Sequence, residues 1–202
     1  VTPSGEETTL YTFDGIHGAD PQTGLINVNG TLYGTTFGGG DSAGCHNCGT
    51  VFSITTDGSE KVLHSFGGGT DGALPSASLI EVKGILYGTT TEGGIRCRHG
   101  HHGCGTVYSI TPSGSEKVLY SFAGSSDGKH PFGSLIKVNG TLYGTTRSGG
   151  VSDDGTVFAI TTSGAERVVY TFGRDPSGRN PHARLLDVKG RLYGTTFSGG
   201  SR

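Results

Sequence analysis

Four cysteines and the histidines beside them are the residues of this 202-residue chain best suited to chemistry. They fall in two short stretches, Cys45-His46-Asn47-Cys48 and Cys97-Arg98-His99-Gly100-His101-His102-Gly103-Cys104. Thiolate and imidazole are ordinary zinc ligands, so Cys45, Cys48, Cys97, Cys104, His46 and His101, with His99 and His102 nearby, could form a metal site. The plainer reading is a disulfide within each stretch, Cys45–Cys48 and Cys97–Cys104, pinning a loop in an oxidising compartment. Cys45 and Cys48 have the Cys-x₂-Cys spacing of a zinc half-site, but the wider gap from Cys97 to Cys104 does not. The disulfide reading is therefore preferred. A second group is basic: Arg174, Arg179, His182, Arg184 and Arg191 gather in the last quarter of the chain, with Arg147 upstream. Such a cluster suits an acidic sugar or another carboxylate, although scattered arginines also make an ordinary solvated face. His182, Arg184 and Tyr193 could serve a lyase-type proton abstraction. No nucleophile–base pair or set of paired carboxylates supports an enzyme more firmly.

The elements that must position these residues are repeated. Leu-Tyr-Gly-Thr-Thr occurs four times, and its tyrosines, Tyr33, Tyr87, Tyr143 and Tyr193, lie 54, 56 and 50 residues apart. Around each the same segments recur: an apolar piece such as Leu79-Ile80-Glu81-Val82, then Asn-Gly or Lys-Gly, Leu-Tyr-Gly-Thr-Thr, a Gly-Gly loop, Gly-Thr-Val-Phe/Tyr, and Glu-Lys-Val-Leu-Tyr-Ser-Phe. Asn-Gly between apolar runs predicts a two-residue hairpin turn. A repeat of about 50 residues holding four short strands predicts a propeller blade, with a stacked solenoid as the runner-up. The expectation is an all-β, four-bladed β-propeller forming a single domain over 1–202, with blades near 14–66, 67–122, 123–172 and 173–202. Residues 1–13 match the outer-strand half of a repeat and are expected to complete the last blade, whose Gly-Thr-Val-Phe strand does not occur in the sequence.

These motifs, together with Asp71-Gly72-Ala73-Leu74-Pro75 and Asp127-Gly128-Lys129-His130-Pro131, resemble the GloVer tandem repeat of secreted and surface-anchored bacterial proteins. The resemblance spans essentially the whole chain. It implies an extracellular or cell-surface β-propeller and transfers no catalytic residue. The chain departs from the pattern in its cysteine loops and in having His17-Gly18 and Ser177-Gly178 where the other repeats have Asp-Gly.

Differences among the repeats are where function is expected, because the fold consumes what they share. Between Thr-Thr and Gly-Thr-Val there are 12, 14 and 8 residues in the first three repeats, and the two longer loops carry the cysteines. Phe37, Phe132 and Phe197 could stack on sugar rings, yet Ser76, Thr91 and Arg147 stand at equivalent positions. His64 replaces the tyrosine found at Tyr11, Tyr120 and Tyr170, and reads as packing. Asp71 and Asp127 read as turn residues, since no calcium-loop spacing surrounds them. Asn29 and Asn139 head Asn-Gly-Thr sequons for glycosylation, although a tight turn wants Asn-Gly in any case.

Composition narrows the classes. The 39 glycines argue against long helices. A formal net charge of −2 offers no electrostatic case for nucleic acid or an anionic membrane surface. No apolar run approaches the roughly 18 residues a membrane helix needs, and no motif implies a cofactor. The expectation is a non-catalytic extracellular module for assembly or surface interaction, joining head to tail into fibres or meeting a cell-surface or glycan partner, with carbohydrate binding as the alternative and a polysaccharide lyase or other enzyme behind it.

Overall fold

The computed structural model describes residues 1–94, 102–173 and 178–200, and every regular element in them is a β-strand. In the first repeat β1 (Ile26–Val28), β2 (Thr31–Thr36), β3 (Thr50–Ile54) and β4 (Glu60–Ser65) form an antiparallel meander in sequence order. The second repeats it with β5 (Ile80–Val82), β6 (Ile85–Thr90), β7 (Thr106–Ile110) and β8 (Glu116–Ser121). In the third, β10 (Ile136–Val138), β11 (Thr141–Ser148), β12 (Thr156–Ile160) and β13 (Glu166–Thr171) do the same, and β9 (Lys129–Pro131) pairs with the far end of β11.

Local sequence accounts for each junction. Asn29 and Gly30 have φ of 53° and 89°, and Val28 faces Thr31 across them, as a type I′ turn requires. Lys83 adopts φ 54° at the same place in the second repeat, so strand pairing there overrides a left-handed cost on the order of 1 kcal/mol. The turn thus accounts for the asparagines of both sequons. Further along, Thr36 and Thr50 share a hydrogen bond of 2.8 Å, as do Thr90 with Thr106 and Thr146 with Thr156, all six side chains being buried. Gly18, Gly72 and Gly128 press on these pairs, which leaves no room for a side chain. The loop after each second strand is closed by one backbone hydrogen bond, from Gly49 to Gly39, Gly105 to Gly93 and Gly155 to Gly149, whatever its length.

The glycine of Leu-Tyr-Gly-Thr-Thr has a different reason. The ring of Phe52, Tyr108 or Phe158 on the third strand lies against Gly34, Gly88 or Gly144. The Phe at the end of the preceding outer strand meets that ring edge-on: Phe13 with Phe52, Phe66 with Tyr108, Phe122 with Phe158, at 4.9–5.1 Å. Consecutive repeats therefore share their cores. Leu63 and Phe66 of the first pack with Leu86 and Tyr108 of the second, and Val107 and Phe122 of the second with Leu142 and Phe158 of the third.

Inner strands face a common axis. The Gly24 amide donates to Ser78 Oγ and the Ser78 amide to Ser134 Oγ, each at 3.0 Å. A cavity of about 310 Å³ between them is lined by Leu25, Ser78, Ser134 and Arg184, one residue from each of the four repeats among others. This is the placement of propeller blades rather than of a stacked solenoid.

The last repeat is arranged differently from the first three. It holds β14 (Gly178–Pro181) paired with β17 (Thr196–Gly199), and β15 (Leu186–Val188) paired with β16 (Arg191–Tyr193). Residues 1–13 form no strand and pair with none of β14–β17 among the described residues, yet Phe13 on Phe52 and Leu10 against Gly58 repeat the contacts that Phe66 and Leu63 of β4 make on Tyr108 and Gly114 of the second blade. Replacing Gly144 with Ala tests the shared core, because its Cβ would lie 2.5 Å from Phe158 Cζ. Gly144→Ala is expected to lower stability by about 1–3 kcal/mol, read from urea unfolding.

Candidate functional site

Four places in this scaffold break its symmetry. On the rim of the first blade Cys45 and Cys48 are disulfide-bonded, with Cα atoms 5.8 Å apart. Bonded sulfurs supply no thiolate to zinc, so the metal alternative loses these two ligands. Cys104 is also disulfide-bonded and fully buried. Its expected partner Cys97, with His99 and His101, lies outside the described residues, as does Arg174. His46 is 83% exposed and bonded to Asp41 at 2.9 Å. Cys48, Cys104 and Asp154 prove equivalent: each carbonyl accepts the amide of the next repeat, from Leu74, His130 and Asn180 at 2.8 Å. Loops of unequal length hide that correspondence in the sequence.

The second place is a stack of rings. The residue after each conserved proline and the residue after each Thr-Thr come together on one face. In the second repeat they are Ser76 and Thr91, joined by a 2.7 Å hydrogen bond. In the fourth they are His182 and Phe197, stacked at 5.3 Å, and Phe132 of the third repeat stacks on the other side of His182 at 5.1 Å. Phe197 is 78% exposed, so one ring face is open to solvent. Burial, and then the charge of Arg147, hold the His182 imidazole below its usual pKa, which keeps it neutral near pH 7. The sequence reading named Phe132, Arg147, His182 and Phe197 but did not join them.

The described members of the basic cluster sit at different places. Arg184 lines the axial cavity, Arg179 lies exposed on β14 opposite Ser198, and Arg147 sits by the ring stack. Among the described residues no hydrogen bond joins His182, Arg184 and Tyr193, and Tyr193 instead faces Leu186 across a strand pair.

The third place is a groove of about 300 Å³ beside the fourth repeat, lined by Val157, Tyr170, Phe172, Leu185, Leu192 and Gly194. It corresponds to the space that Phe52, Tyr108 and Phe158 fill in the other blades, with Phe172 and Gly194 as its two walls. The fourth place was read as packing. His64 Nε2 lies 3.1 Å from both Asp71 oxygens, and Glu116 of the next blade closes on the same point. Burial, then the charge of Asp71, push the Glu116 carboxyl up to about 7 from its ordinary 4.5.

Blade-like meanders around an axis, with variation gathered on the rim and at one face, define a repeat β-protein of propeller type. Within that class the chain belongs to the Gloeobacter/Verrucomicrobia repeat family, whose profile matches residues 1–202. No curated protein matches the chain. Among solved structures it is similar to Bacteroides ovatus Xyloglucan PUL GH43B, at 14% identity and a TM-score of 0.46, over 87% of this chain and 36% of that one.

The Glu116 position has a consequence for stability. A carboxyl whose folded pKa is raised binds its proton more tightly in the folded state, so its contribution is fully present below pH about 4.5 and is lost as pH rises through about 7. His64, Asp71 and buried Tyr108 are the ionisable groups around it. In EDTA, the urea midpoint is expected to fall across that window, and Glu116→Gln to flatten this part of the decline.

Proposed function

We propose that the protein is a non-catalytic propeller module of the cell exterior that acts by assembly or surface interaction, with the apolar groove beside the fourth repeat as its joint. The observation that carries this reading is the groove at Phe172 and Gly194. In the first three blades an aromatic third strand occupies that space, and here the apolar walls stand half exposed, with Val169 at 42% and Tyr170 at 49%. Unpaired edges beside an apolar pocket recruit strands from other chains. The occupant is an extended Gly-Thr-Val-aromatic-x-Ile segment, and where a neighbouring molecule supplies it, repetition of the contact builds head-to-tail fibres. The Cys45–Cys48 bond fits an oxidising exterior.

A peptide with the sequence of residues 155–161, Gly-Thr-Val-Phe-Ala-Ile-Thr, tests the joint. It is expected to bind the full chain one to one, raise its melting temperature and break up larger species in light scattering. An alanine in place of the phenylalanine should weaken binding by at least about tenfold. No binding at about 1 mM peptide, or a monomer at every protein dilution, would sink the assembly reading.

The ring stack favours a second reading, carbohydrate binding. An open phenyl face with a guanidinium nearby suits the apolar face and carboxylate of a uronic acid. Saturation-transfer NMR with oligogalacturonate is expected to show contact in the native chain and none in Phe197→Ala. Equal signals from both would end this alternative.

A further inference from the structure

We propose that His64, Asp71 and Glu116 form a binding site for a divalent transition-metal ion of the zinc type, bridging the first two blades. Their ligand atoms lie within 4.8 Å of one another, and this is the one such group among the described residues. Each ligand comes from a fixed element. His64 is on β4 opposite Val51, and its ring packs edge-on against Phe66 at 4.9 Å. Asp71 is held by the Gly67 amide, which donates to its Oδ2 at 2.6 Å, within a turn closed by the Asp71 amide on the Gly68 carbonyl. Glu116 is on β8 of the next blade, opposite Ile110.

Comparison with the sister site isolates what is special here. On β8 of the second blade Tyr120 stands where His64 does on β4, and its hydroxyl donates to Asp127 Oδ2 at 2.9 Å, with Glu166 of the third blade alongside. A phenol at that point is a neutral donor that satisfies the carboxylate. An imidazole is a nitrogen ligand, and with two carboxylates it makes an N,O,O set of two negative charges. That set matches zinc or its neighbours better than calcium or magnesium, which prefer oxygen alone. The His64 and Asp71 side chains are 21% and 28% exposed, so water can complete the coordination from one side. Glu116 Oε1 is buried without a hydrogen-bond partner. The same oxygen is unpartnered on Glu60 and Glu166, so the histidine distinguishes this site.

The test is a calorimetric titration of ZnCl₂ into the EDTA-stripped full chain. His64→Tyr copies the Tyr120 arrangement found between the second and third blades and is expected to fold. It should remove one zinc equivalent and the accompanying rise in melting temperature, while His46→Gln keeps both. Glu116→Gln, which preserves shape, should weaken the same site by at least about tenfold. No zinc binding by the native chain, or the same stoichiometry and affinity in His64→Tyr, would overturn the proposal, the latter placing the ion on other histidines.

Discussion

In each complete blade an aromatic ring of the third strand lies on a glycine of the second, and the phenylalanine ending the previous blade's outer strand packs against its edge. Most of the remaining architecture follows from that contact. The glycine is required because a Cβ would enter the ring. The preceding phenylalanine is required because the ring's other side would otherwise face water, and an aromatic side chain has some 150–250 Å² to bury. Each core is consequently made by two blades and belongs to neither, so stability accumulates along the chain by nearest-neighbour interfaces.

Function is left to positions this contact does not use. The same two face positions hold a Ser–Thr hydrogen bond in the second repeat and stacked His and Phe in the fourth. The same outer-strand position holds tyrosine three times and histidine once. The scaffold tolerates these exchanges because all of them lie outside the buried rings and the threonine pairs.

Much of the fold was legible in the residues. Asn29-Gly30 and Asn139-Gly140 announced two hairpins, and fourfold repetition extended the reading to Lys83 and Lys189, which alone would not suggest φ above zero. Residues 1–13 keep the sequence of an outer strand, and Phe13 and Leu10 make the contacts of one on the first blade, although no strand pairing forms there among the described residues. Site geometry was harder to read, since it depends on contacts between repeats. Glu116 meets His64 across a blade boundary and 52 positions of sequence, and Phe132 reaches His182 in the same way. Composition marks such residues as unusual within a repeat but carries no information on which unusual residues will touch.

The loop stems have a further meaning. A single hydrogen bond between two glycines closes each stem around inserts of quite different length, and the strands on either side keep the same register. Lengthening a closed loop costs little, about 0.6 kcal/mol per doubling. The rim therefore behaves as a row of interchangeable cassettes, in which new recognition chemistry can be tried by duplication and insertion without renegotiating the fold, and into which foreign segments could be grafted by the same route.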